Sequence, residues 1–204
     1  MYTIEELIIT FSYFGIFFLM TSNGIISFPS SQILYIVAGY FAFTGDLNIF
    51  YVILIGALGN TVGNYFLYEV SRKKGLKYSL KFIKYLFQLS DPETEIKKFQ
   101  IAFKKRSKFL LFVGKLANPS KIFIPIPAGI AKMNRAVFLN IIYITTVIWA
   151  SIFTSIGYYF GKSYDNFGYI GAILIVVFII VMSYFYKLMN SDEVLKELKE
   201  EENK

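Results

Sequence analysis

The sequence contains no cysteine and no histidine. Without cysteine there is neither a disulfide nor a thiolate metal site. Without histidine the commonest general base, the usual phosphatase nucleophile and the usual zinc ligand are all missing. Charge is also missing over long distances: no Asp, Glu, Lys or Arg occurs at 7–45, 47–68, 136–161 or 166–186. A run of about 20 apolar residues spans a bilayer core, and the first of these runs is nearly twice that long. A basic n-region is absent, and Glu5 and Glu6 precede the first apolar run. That argues against a cleaved signal peptide and predicts that the first helix is retained.

What is present is hydrophobic. Of 204 residues, 55% are hydrophobic and 19% aromatic, with a mean hydropathy of +0.52. This predicts an all-α integral membrane protein: one membrane domain over 1–189, followed by a Glu- and Lys-rich cytoplasmic tail at 190–204. No metal and no cofactor are expected.

One pattern occurs twice. Gly24, Pro29, Ser30, Ile36, Ala38 and Gly39 recur ninety residues later as Gly114, Pro119, Ser120, Ile126, Ala128 and Gly129. Each copy puts a proline inside a mostly apolar region, where a straight helix through it costs about 3 kcal/mol. Two half-helices meeting at each break are expected, and irregular backbone at membrane depth needs protein or a water-filled cavity to satisfy it. Broken segments at matching places in two halves point to a site at the interface of inverted repeats. The expected architecture is therefore an inverted repeat with two re-entrant helical hairpins and about four transmembrane helices. Repeat 1 covers about 3–70 and repeat 2 about 109–186.

In order along the chain, residues 3–22 form a first span closed by Thr21-Ser22-Asn23-Gly24. The first re-entrant segment follows, and Leu47 to Tyr68 make the next span, with Gly56, Gly59 and Gly63 as a small-residue packing stripe. From Ser71 to Lys108 there are twelve Lys or Arg against three acids. Within that segment Lys77, Lys81 and Lys84 lie on one face and Leu76, Leu80, Ile83 and Phe87 on another, an amphipathic interfacial helix. A second helix is expected at about 92–106. Excess Lys and Arg mark a cytoplasmic loop, which puts both termini in the cytoplasm of a plasma-membrane protein. Residues 136–160 then cross outward and 167–186 cross back.

The run from Gly114-Lys115 through Lys121 to Pro125-Ile126-Pro127-Ala128-Gly129 and Met133 resembles the signature of the DedA family. Pro29-Ser30 with Ala38-Gly39 is similar to that family's first motif, and Gly63, Tyr68 and Arg72 to a third element. The similarity covers roughly residues 20–165. It implies two facing re-entrant loops and lipid transport, because DedA-like proteins include translocases of the polyprenyl-phosphate carrier and relatives that scramble phospholipids. The chain also departs from the pattern: Lys115 and Lys121 stand where the signature has arginines, Ser31 or Gln32 where many relatives carry a carboxylate, and Asn60 where many carry another acid. Those acids are associated with proton coupling, so transport that depends weakly on a proton gradient is expected.

A lysine at membrane depth costs about 2.5–3.5 kcal/mol on insertion scales and is a functional hypothesis by default. Lys115 and Lys121 are the candidate ligands for a phosphate headgroup, with the alternative that they snorkel to the interface on their apolar stems. Pro29 and Pro119 would free N–H groups at the start of half-helices. Ser30, Ser31 and Gln32 could line an uncharged path, joined by Ser120 and Asn60. Asn60 and Asn64 either bond across the bundle or face the cavity, and Glu69 is expected to pair with Arg72. The function expected is a flippase or scramblase for an anionic lipid, with membrane lipids as partners, homo-oligomerisation open and nucleic acid excluded. A small-ion or solute transporter and a non-catalytic assembly factor are the alternatives. An intramembrane enzyme is disfavoured, since neither motif holds a His, a Cys or a carboxylate.

Overall fold

The structure is a computed structural model describing residues 4–27, 30–87, 94, 97, 101, 109, 111, 112, 114, 115, 124–162, 180, 183 and 187. Among these the helices with described bounds are α1 (Ile4–Ile26), α2 (Ser31–Thr44), α3 (Ile49–Phe87), α4 (Pro125–Ile130) and α5 (Arg135–Lys162), and there is no strand. Local chemistry sets several of the ends. Asn48 opens α3 by accepting the Phe50 and Tyr51 N–H groups at 2.9 and 3.4 Å. Asn134 does the same for α5, accepting from Ala136 and Val137 at 3.0 and 3.3 Å. In both cases an Asn side chain satisfies N–H groups that a helix leaves unpaired at its start. Helix α2 stops at Gly45, which takes φ 92° and donates its N–H to the Phe41 carbonyl, the left-handed glycine cap. The two prolines of α4 fall in its first turn, where no intrahelical N–H is needed.

Polarity in this molecule is inverted relative to a water-soluble one. Along α3, Phe50, Tyr51, Leu54, Leu58, Val62 and Phe66 are exposed, while Asn60, Thr61 and Asn64 are buried. The same holds on α5, where Ile144 and Ile148 face outward and Thr145, Thr146 and Thr154 are buried. An apolar exterior around a polar interior is what hydrocarbon solvent selects. Two stretches, Ile49–Lys81 and Arg135–Gly161, are long and apolar enough to cross a bilayer. Ser12–Ile26 and Ser31–Thr44 are shorter apolar helices. With 14 residues, α2 is about 21 Å long at ~1.5 Å per residue, short of the ~30 Å hydrocarbon core.

The chain divides into two compact units, residues 1–64 with 143–175, and residues 65–142 with 176–204. In the first, Met20, Tyr35, Ala38, Val52 and Ala150 form a buried core against which Trp149 and Phe153 pack. The stripe Gly56, Gly59, Gly63 performs the packing expected of it, facing the Tyr35 ring and the Phe17 and Thr21 backbone. In the second unit Phe138 stacks on Tyr68 with ring centroids 4.3 Å apart, and Pro125 to Gly129 are all buried.

One local expectation changes. The first helix does not close at Thr21–Gly24 but runs on to Ile26, because Gly24 lies against the Asn60–Asn64 backbone of α3 and is held there as helix. The basic amphipathic helix is set off from the apolar part of α3 by one non-helical residue, Gly75, at φ 72° and ψ −169°, and runs on to Phe87; that conformation is essentially confined to glycine. A Cβ on Gly75 would meet nothing within 4 Å, so the backbone angle and not crowding is what requires glycine there. Residue 94 is helical, but most of the helix expected at 92–106 and of the span expected at 167–186 lies outside the described residues.

Candidate functional site

The first motif forms the start of α2. Ser30 is its N-cap, yet its hydroxyl caps nothing; it donates to Gln32 Oε1 at 2.9 Å, and Ser31 Oγ donates to the same oxygen at 3.3 Å. The first turn of α2 is thus left without a side-chain cap from Ser30, and Ser30, Ser31 and Gln32 form one neutral polar group. Ser31 is buried. Pro29, which precedes this group, lies outside the described residues.

Gly39 explains why the motif ends in Ala-Gly. A Cβ there would run into the Thr154 carbonyl of α5 and stand 3.0 Å from the Tyr158 nitrogen, so the backbones of α2 and α5 meet. The second motif repeats this in the other unit. A Cβ on Gly129 would run into the Tyr68 carbonyl of α3 and stand 3.1 Å from the Arg72 nitrogen. In both places glycine sits over a carbonyl and the amide four residues on, the two ends of one helical hydrogen bond.

Of the two candidate lysines, Lys115 is helical and only 7% exposed, in the second unit. Pro119, Ser120 and Lys121 lie outside the described residues. The end of the second motif is held by a clamp. Arg72 donates to the Tyr68 hydroxyl at 2.7 Å and to the Met133 carbonyl at 2.8 Å, and the Tyr68 hydroxyl donates to that same carbonyl. Lys132, at φ 53°, and the Met133 N–H bonded to Ala128 O at 3.1 Å close α4 in a Schellman-like turn. Glu69 therefore does not pair with Arg72. Its partner is Arg135, bidentate at 2.5 and 3.2 Å, because the guanidinium of Arg72 is taken up by the carbonyl that ends the motif.

Asn60 is the hub of a second polar group, in the first unit. Its Nδ2 donates to Asn23 Oδ1 at 2.9 Å, and its Oδ1 accepts from Asn64 Nδ2 at 3.0 Å and from Thr146 Oγ1 at 3.5 Å. Asn64 also donates to the Asn60 backbone carbonyl at 2.7 Å. Asn60 thus bonds across the bundle, linking α1, α3 and α5, and Asn64 completes it. The structure brings Ser30, Ser31 and Gln32 together and puts Asn60 with Asn23, Asn64 and Thr146. Asn23 and Thr146 were missed in the sequence; the available signal was a polar side chain inside a charge-free run.

Chemically the Ser30-Ser31-Gln32 and Asn60 groups are hydrogen-bonding groups without a titrating acid, and Lys115 is a buried lysine. Among the described residues no group of three or more Asp or Glu converges into a metal site. No solved structure matches the chain. The family model of the VTT domain matches residues 28–159. The uncharacterized membrane protein YkoX of Bacillus subtilis is 33% identical over 172 residues, covering 81% of this chain and 75% of the relative. Undecaprenyl phosphate transporter A of the same organism is 26% identical over 165 residues, 76% of this chain and 79% of that protein. A Lactococcus lactis subsp. cremoris protein named alkaline phosphatase-like is 26% identical over 189 residues, 87% of each chain.

Proposed function

The chain belongs to the VTT-domain family of DedA membrane proteins, and on that premise we propose that it moves an anionic lipid, a polyprenyl phosphate or a phospholipid, across the bilayer as a flippase or scramblase. The observation that carries the reading is Lys115, a cation 7% exposed within the second motif. A buried lysine is retained at depth where polar or anionic groups can meet it, and a lipid phosphate is an anion that a membrane supplies. The name of the 26% identical transporter supports the same substrate class. In this reading Lys115 and Lys121 bind the phosphate, Pro119 and Ser120 shape the break beside them, and Pro29, Ser30, Ser31, Gln32 and Asn60 form an uncharged path for the headgroup. The two Ala-Gly contacts fit an inverted repeat in which each half's motif rests on a long helix of the other. The shortness of α2 fits a re-entrant hairpin. The basic segment at 71–108 supports cytoplasmic termini, and in this reading the membrane is the plasma membrane.

We read the protein as a carrier and not an enzyme. The phosphatase-like name of the Lactococcus relative makes release of inorganic phosphate the competing activity, so both are measured together. In vesicles reconstituted with labelled polyprenyl phosphate or phosphatidylglycerol, the wild type should move lipid without releasing phosphate. Lys115→Gln and Lys121→Gln should each lower movement at least tenfold, with protein insertion unchanged. Lys81→Gln removes equal charge from the amphipathic part of α3 and should change the rate less than threefold. Equal losses in all three would mean general surface attraction, worth about 1 kcal/mol per charge, and the headgroup site would be abandoned.

A further inference from the structure

From Leu7 to Tyr68 the chain carries one charged side chain, Asp46. It lines a cleft of about 840 Å³ between α1 and α2 in the first unit, beside Thr44 and Gly45 at the carboxyl end of α2, and we take this polar end as its mouth. Beyond the mouth the cleft is apolar, with Ile16, Leu19, Leu34, Val37 and Phe41 on its walls. Leu19, Val37 and Phe41 are each more than 40% exposed, so this wall opens sideways to the surrounding hydrocarbon. Gly15 forms part of it, and a Cβ there would meet nothing within 4 Å. Along α2 the walls run from Leu34 to Thr44, about 15 Å at ~1.5 Å rise per residue. The volume falls in the roughly 300–1,000 Å³ range of ligand sites.

The mouth has one sign of charge. Among the described residues no cation pairs with Asp46, whose Oδ2 accepts the Thr44 hydroxyl. The carboxyl end of α2 lies at the same place and has no basic residue in its last turn. The partial negative charge of its final carbonyls adds to the carboxylate. A phosphate without a counter-charge is repelled there. A cation with a hydrocarbon tail fits both parts of the cleft.

We propose that the α1–α2 cleft binds a membrane lipid with an ammonium headgroup, its chain lying along Gly15, Leu19 and Leu34 and its amine meeting Asp46 and the carboxyl end of α2. The site is distinct from the lysine-bearing motif and rests on the membrane setting alone, so it stands or falls separately from the transport reading.

The test uses the full chain in phosphatidylglycerol nanodiscs doped with a phosphatidylethanolamine probe bearing a photoactivatable acyl chain, or with the phosphatidylglycerol analogue of the same chain. Cross-links are mapped by peptide mass spectrometry. The ethanolamine probe should label residues 12–19 and 34–41 about fivefold more than the glycerol probe, the size of one charge interaction at a membrane surface. Asp46→Asn should bring that ratio close to one. Gly15→Phe should plug the cleft and remove labelling by both probes; Asp46→Asn, a change at an exposed turn, carries the charge test if Gly15→Phe fails to fold. Equal labelling of the wild type by the two probes, or a ratio that survives Asp46→Asn, overturns the proposal. So does unchanged labelling of a folded Gly15→Phe protein.

Discussion

Replacing Gly39 by alanine isolates the steric contact between α2 and α5. Glycine inside a helix is less favourable than alanine by roughly 0.5–1 kcal/mol, so the substitution alone should stabilise. At Gly15 nothing lies within 4 Å of the added methyl, and Gly15→Ala should show that gain unopposed. At Gly39 the methyl would run into the Thr154 carbonyl and approach the carbonyl carbon to 2.9 Å. That obstacle is backbone and cannot rotate away, so one helix must move, at an overpacking cost of about 1–3 kcal/mol. Propensity cancels when the two variants are compared, leaving a difference of about 1–3 kcal/mol with Gly15→Ala the more stable. The readout is built in: Trp149 is the single tryptophan, it packs on the core containing Ala38, and it lies 4.7 Å from Phe153, ring to ring. Denaturant unfolding in mixed micelles, followed by Trp149 emission, gives the two stabilities. A difference below about 0.5 kcal/mol, the scatter expected of two innocuous substitutions, would refute backbone contact between the first motif and α5.

Three further outcomes are expected. A double-mutant cycle on Asn23→Ala and Asn60→Ala should give a coupling of about 0.6 kcal/mol, the average found for hydrogen bonds between membrane helices; thermal unfolding in micelles measures it, and a coupling near zero would remove the bond from the account. Gly75→Ala should cost about 1–3 kcal/mol by the same assay through backbone strain alone, and a stabilised variant would show that the joint in α3 is not held at positive φ. Because Ser31, Gln32 and Asn60 carry no titrating acid, collapsing the proton gradient across reconstituted vesicles should change the transport rate less than twofold. A large loss would assign the proton to another group, with Glu69 the first to replace.

Much of the helical plan was legible because it rests on local signals. Charge-free runs of sufficient length gave the apolar helices, and the spacing of Gly56, Gly59 and Gly63 gave a packing stripe. What was not legible depended on residues far apart in the chain. Glu69 has Arg72 three residues away and pairs instead with Arg135, since only the folded chain puts the Met133 carbonyl where it claims the Arg72 guanidinium. The first helix runs past its apparent end for the same reason: Ser22-Asn23-Gly24 favours a turn in isolation, and the α3 backbone against Gly24 overrides that preference. Gly75 could have been a linker or a bend, and sequence alone does not choose between them. For the candidate site, the polar character of Ser30, Ser31, Gln32 and Asn60 was readable, whereas Asn23 as the acceptor of the Asn60 amide was not.

The seat of Gly39 on Thr154 also sets a timetable for biogenesis. Gly39 leaves the ribosome 115 residues before Thr154 does, by their positions in the chain. At ~5–20 residues per second that is an interval of roughly 6–23 s. Throughout it α2, about 21 Å long and without a Ser30 side-chain cap, has no carbonyl surface of α5 to close on. Slowing synthesis between residues 45 and 154 should lengthen that interval in direct proportion.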